Sequence, residues 1–150
     1  MRILNNKRKK KGFTLIELVA VVAIIGILAA LLVPKISGYI TDAKKTKVID
    51  QARKVVMAVE TANTKHDVTL AESTTVNSIL TAASGSANKA LLEAKNYLDP
   101  NDEGLSKITP NLTGGTTFAQ CKKITQGEEF EINKNTGVLS KVGSDTVTTS

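Results

Sequence analysis

The chain has 150 residues and a formal charge of +6, from 20 basic and 14 acidic side chains, with a single cysteine and a single histidine. Six basic side chains and no acid fall in the first eleven residues (Arg2, Lys7, Arg8, Lys9, Lys10, Lys11), so the remaining 14 basic groups face 14 acids. The basic excess belongs to a leader rather than to a binding surface and makes no case for a specific nucleic-acid partner, the lone Cys121 excludes an intrachain disulfide, and the lack of a glycine-rich phosphate loop with its lysine excludes nucleotide hydrolysis as a source of work.

The first element is that basic leader, which meets an apolar run at Lys9-Lys10-Lys11-Gly12-Phe13-Thr14-Leu15-Ile16-Glu17. From Phe13 to Pro34 the run is broken only by Thr14 and Glu17, and 18–33 carries no charge. A spanning helix needs roughly 20 such residues, so the run can enter a bilayer. The lysines hold the amino terminus in the cytoplasm and put the rest of the chain outside. An ordinary secretory signal places small residues after its apolar core, whereas Pro34-Lys35-Ile36 follows here. The residues that look like a processing point come before the run, at Gly12-Phe13. Glu17 is the odd group, because an ionised acid moved toward the bilayer centre costs on the order of 3 kcal/mol or more. It is a functional-site candidate in need of a cation; the plainer alternative puts it in the headgroup zone beside the lysines.

These residues resemble the processing motif of type IV pilins and the related pseudopilins. Gly12-Phe13-Thr14-Leu15-Ile16-Glu17, the basic leader before it, Gly26 in mid-helix and Pro34 at its end carry the resemblance, which covers 7–34 and is vague beyond. It implies a prepilin with a class III leader, cut after Gly12 on the cytoplasmic side by a prepilin peptidase that also N-methylates Phe13. It implies that Glu17 pairs with the amino group of a neighbouring subunit during assembly, and that Gly26 and Pro34 bend the helix or let it extend in a filament. The partners it implies are further copies in a helical homopolymer, the peptidase/methylase, a separate assembly ATPase with its membrane platform, and membrane lipid before assembly. The precursor would be a single-pass protein of the cytoplasmic membrane and the product an extracellular filament. Charge logic agrees with the assembly role. A cut at Gly12 leaves a cation on Phe13 and an anion on Glu17, each costly alone in a low-dielectric bundle and each relieved by the other from a second copy. The single Cys121 departs from the two-cysteine carboxy-terminal loop of many pilins.

Past Pro34 the helix is expected to continue to His66, which makes Phe13–His66 about 80 Å long at about 1.5 Å per residue. Ile36, Ile40 and Ala43 form one stripe; after a slip at Lys44-Lys45-Thr46-Lys47, Val48, Ala52, Val55, Val59 and Ala62 form another, suited to packing on one surface. The lysine cluster reads as a solvated face, with lipid headgroups or a neighbour's acids as the alternative. A polar loop follows from His66 to Thr74. Thr75–Ala83 has helical spacing, with Ser73 or Thr74 as cap, and Ser84-Gly85-Ser86 breaks it. Ala87–Leu98 is a second short helix, stopped by Asp99-Pro100. Asn101–Gly115 reads as loop with room for one short strand. Phe118–Ile124 reads as a strand, with Cys121 as one of its small apolar residues. Phe130 and Ile132, then Val138, Ser140 and Val142, alternate around the turn Asn133–Gly137, which is a hairpin signal. Ser144–Ser150 reads as a polar tail.

The expected fold class is α+β: a long amino-terminal membrane-spanning helix packed on a small head with an antiparallel sheet. The expected segments are 1–12 leader, 13–34 membrane and assembly half, 35–66 amphipathic half and 67–150 head. No catalytic constellation, cofactor site or metal site is expected. His66 has no nucleophile or metal partner in the pattern. Asp99, Asp102 and Glu103 read as solvated turn acids rather than a calcium loop, and Asn111-Leu112-Thr113 is a glycosylation-type sequon. Two functions from different classes fit: a pilin polymerised into a filament for adhesion, twitching or aggregation, and a pseudopilin of a type II secretion or DNA-uptake system. A membrane-anchored monomeric binding module is the third.

Overall fold

The computed structural model describes residues 12–83 and 88–148. The basic leader at 1–11, the expected break at Ser84-Gly85-Ser86 with Ala87, and the end of the expected tail at 149–150 lie outside the described residues.

One helix dominates. α1 runs unbroken over Leu15–His66, straight through Gly26 and Pro34, close to the expected Phe13–His66. It starts where Thr14 supplies a cap: the Thr14 carbonyl accepts from the Leu18 N–H at 3.3 Å, and the Thr14 hydroxyl and Glu17 carboxylate form a reciprocal capping box. α1 is long and apolar enough to cross a membrane, and every residue from 12 to 40 is exposed. The chain divides into two compact units between Tyr39 and Ile40, inside this helix.

In the second unit, α1 buries Val48, Ala52, Val55, Ala58, Val59 and Ala62, which is the expected stripe with Ala58 added. Ile36 and Ile40, from the earlier stripe, stay exposed. The rest of the unit is α2 (Val76–Leu80), α3 (Lys89–Leu98), α4 (Leu105–Ile108) and α5 (Phe118–Thr125), then β1 (Phe130–Ile132), β2 (Leu139–Val142) and β3 (Asp145–Thr146). Of these, α2, α3, α5, β1 and β2 add buried side chains to the core that the stripe begins. The strands form one antiparallel sheet in the order β1-β2-β3. Val55, Ile79, Cys121, Leu139 and Val142 belong to one continuous core. It is small and aliphatic, and Phe118 is its one fully buried aromatic ring.

Three expectations are corrected. Phe118–Ile124 is a helix, not a strand. Phe118, Cys121 and Ile124 bury every third residue, and Thr117 caps the start with Gln120 closing the box, so local capping overrides the β propensity of the segment. Asn101–Gly115 holds the short α4 rather than a strand. Ser144–Ser150 is not simply a tail: Asp145–Thr146 pairs with β2, Val147 is buried, and the Thr148 carbonyl accepts from the Thr113 hydroxyl at 3.0 Å. Gly115 lies so close to Thr148 that a Cβ there would collide with its hydroxyl and carbonyl oxygens. The cap of α2 is Thr75, boxed with Ser78, one residue beyond the expected position. The expected hairpin is present, with a register irregularity between Glu131 and Ile132.

Candidate functional site

The residues around the expected processing point sit ahead of α1. Gly12, Phe13 and Thr14 precede its first turn, and Phe13 is 88% exposed. Glu17 lies at the third helical position. Its Oε2 accepts from the Thr14 N–H at 2.8 Å and from the Thr14 hydroxyl at 2.8 Å, while the Thr14 hydroxyl accepts from the Glu17 N–H at 3.3 Å. Its Oε1 makes no hydrogen bond among the described residues. The spacing of Thr14 to Glu17 is the T-x-x-E signal of a capping box, a role the apolar pattern alone does not assign to Thr14. A carboxylate there also faces the positive end of the helix dipole. The arrangement is thus a capped helix start in which one carboxylate oxygen of Glu17 is left without a hydrogen bond among the described residues.

Gly26 and Pro34 both lie inside α1, and a Cβ at Gly26 would meet nothing. Packing therefore does not require glycine at 26 in the isolated chain.

The remaining candidates resolve into structural roles. Lys44 is no solvated residue: its Nζ donates to the carbonyls of Lys134 at 2.6 Å and Asn135 at 2.9 Å, and its stem lies against Gly137, whose φ is +77°. Lys45 sits over the Phe130 ring at 5.7 Å, and only Lys47 of that trio is fully exposed. Asp99 is buried rather than solvated. Its two oxygens accept from the Glu103 and Gly104 N–H groups at 2.8 and 2.7 Å, so it closes the loop into α4. Asp102 turns instead to Lys95 at 2.9 Å, and no group of three metal-ligating side chains is found among the described residues. Asn111 bonds Gln51 and the Gly137 carbonyl, and Leu112 and Thr113 are buried, so the sequon is part of the packing. His66 is the last residue of α1, 3.9 Å from Glu93, a carboxyl held below its usual range chiefly by its bond to Lys65. Cys121 is fully buried in α5, and that burial pushes its thiol up to about 12.

Comparison with known proteins falls on the same end of the chain. Residues 7–33 match the family described as the prokaryotic N-terminal methylation motif. The type IV major fimbrial protein FimA of Dichelobacter nodosus is 47% identical over 55 residues, which is 37% of this chain and 35% of that protein. Fimbrial protein Q of Moraxella bovis is 47% identical over 53 residues, 35% of this chain and 34% of its own length, and a fimbrial protein of Pseudomonas aeruginosa is 44% identical over 55 residues, 37% and 36% respectively. The chain thus matches about a third of the length of these relatives. No solved structure gives a significant match. The amino-terminal segment thus carries the methylation motif, and the chain is similar over about a third of its length to type IV fimbrial proteins.

Proposed function

We propose that this chain is the precursor of a type IV pilin, a structural subunit that is cut between Gly12 and Phe13, methylated on the new Phe13 amine and polymerised into a surface filament. One observation carries the reading: the methylation motif at 7–33 takes in the start of a helix whose apolar side chains are exposed from Leu15 to Val33. In this reading residues 1–12 are the leader, 13–34 the membrane and assembly half of α1, 35–66 its amphipathic half, and 67–150 complete the head. Before assembly the exposed half lies in lipid, where an unbroken helix satisfies its own backbone. In the filament it lies against other copies, where Gly26 and Pro34 are the weak points of the helix ladder. A prepilin peptidase performs the cut, and a separate ATPase and membrane platform drive the assembly. Adhesion, twitching or aggregation would be functions of the filament.

Glu17 then has two tasks. Oε2 holds the cap with Thr14, and Oε1 is left for the Phe13 amine of a neighbouring copy. Neither insertion nor cleavage needs the carboxylate, so Glu17→Ala enters the membrane and is processed but joins filaments poorly. Intact-mass analysis and amino-terminal sequencing of membrane-extracted chain test the cut and the methyl group. Retention of Met1, or a cut after Ala30, overturns the reading. Electron microscopy of sheared surfaces with antibody to the head tests the filament and separates a pilin, with long labelled fibres, from a pseudopilin.

A further inference from the structure

We propose that neighbouring copies of this chain meet through an acidic groove on one head and a basic stripe on the exposed surface of α1 in the next. The proposal rests on reading the chain as a polymerising subunit, and it names which surfaces of the head touch.

The groove runs beside β1, which is an edge strand paired only with β2. It is lined by Lys45, Glu128, Glu129, Phe130, Glu131 and Gly143. The three glutamates are exposed and make no ion pair within 4.0 Å among the described residues. Three cations near this edge offset part of that charge, and none closes an ion pair with a glutamate. Lys45 is turned to the Phe130 ring. Lys123 is committed to Asp145 at 2.9 Å, although Glu128 adds to its field. Lys141 stands opposite Glu131 in the ladder without closing to an ion pair. The groove therefore holds three glutamates against one lysine, around a single aromatic ring, Phe130.

The stripe is the reverse. Lys47, Arg53 and Lys54 are exposed on α1. At 3.6 residues per turn Lys47 and Lys54 share one line on the flank of the buried Val48–Ala62 face, and Arg53 lies farther round, on the side turned away from it. They too make no ion pair among the described residues, and Asp50 is the one acid between them. The exposed Met57 continues the stripe with apolar surface.

Both surfaces lie in the second unit, on one polypeptide, with opposite net sign and no closed ion pair of their own. Groove against groove, or stripe against stripe, sets like charges face to face and is disfavoured. Groove against stripe joins two different patches. Such a heterologous contact propagates into an open helical array when its rotation does not close. A second copy is therefore the occupant that satisfies both surfaces at once.

The test uses the full chain in cells that assemble it. Glu129→Lys with Glu131→Lys should lower sheared filament yield at least about fivefold at unchanged membrane subunit level, because like charges across an interface reject the partner. Adding Arg53→Glu and Lys54→Glu to the same chain should restore most of the loss. Independently, Glu129→Cys combined with Arg53→Cys should give a ladder of covalent multimers when filaments are oxidised, with the buried Cys121 silent. If the reversed chain fails to accumulate, the cysteine pair decides, and monomers alone after oxidation overturn the contact. Wild-type filaments whose yield is indifferent to both charge sets also overturn it, and leave the pilin reading standing. A wild-type chain that forms no filaments overturns that reading, and the contact with it.

Discussion

The two halves of α1 share one backbone and differ in what makes them stable. Up to Ile40 every residue is exposed, Leu and Ile included; from Val48 to Ala62 the apolar stripe is fully buried by the head. Most helical stability in proteins comes from burying an apolar face rather than from propensity. By that measure the second half is complete within one copy and the first is not. The first half's apolar side chains surround the helix instead of marking one face, which suits a lipid shell or a bundle of like helices better than a single partner surface. The difference teaches that the molecule is finished at one end only.

If so, the same substitution should behave differently in the two regions. Ile79→Ala in the core should lower head stability by about 3 kcal/mol, read as a fall in Tm in detergent, because the side-chain carbons beyond Cβ are removed from a fully buried site and leave a cavity. Ile25→Ala in the exposed half should leave that Tm unchanged; an equal fall would erase the distinction. Alkaline titration probes the buried side a second way. The thiol of Cys121 is held neutral by burial, with its pKa raised in the folded chain, so the unfolded chain loses its proton first. Stability should then fall between about pH 8.5 and about 12, and Cys121→Ala should flatten the fall. Iodoacetamide should label Cys121 only after unfolding. At the exposed end, Thr14→Val removes the hydroxyl half of the capping box and leaves the residue-14 N–H its bond to Glu17. Amide exchange over Leu15–Leu18 in micelles should quicken about fivefold, the equivalent of one lost cap, with no change in the head. The smallest change is expected at Lys123–Asp145. Lys123 lowers the Asp145 carboxyl by a direct hydrogen bond, so any stabilisation is present above the ordinary carboxylate range and is lost as pH falls through the lowered value. Both groups are solvated, and Asp145→Asn should not move Tm measurably at neutral pH and ordinary salt.

The amino-terminal end was the most legible part of the sequence. A run without charge behind a basic leader marked the helix, and a single acid at the edge of that run singled out Glu17, with the headgroup zone as its plainer reading. The stripe Val48–Ala62 was legible because its period persists over four turns. Short elements were harder. Phe118–Ile124 contains an aromatic and a β-branched residue, which reads as strand, yet the T-x-x-Q cap at Thr117–Gln120 and the three-residue burial period were there to be weighed. Asp145–Thr146 could not be read, since two residues have no period and their pairing depends on β2 being present. Lys44 looked like surface because its carbonyl partners lie far off in sequence. The assembly candidates Lys47, Arg53, Glu128 and Glu129 became visible only once the fold showed which charges had already found partners.

The Lys44 bonds also bear on timing. They join the middle of α1 to carbonyls 90 and 91 residues later, and the same core is closed by Leu139, Val142 and Val147. Such distant closures come late and slowly in folding. A chain made from its amino terminus presents Val48–Ala62 long before the strands that cover it exist. If the leader stays inside and the apolar run halts in the bilayer, those last strands emerge on the far side. The head would then fold only after translocation, with the exposed stripe needing protection in transit.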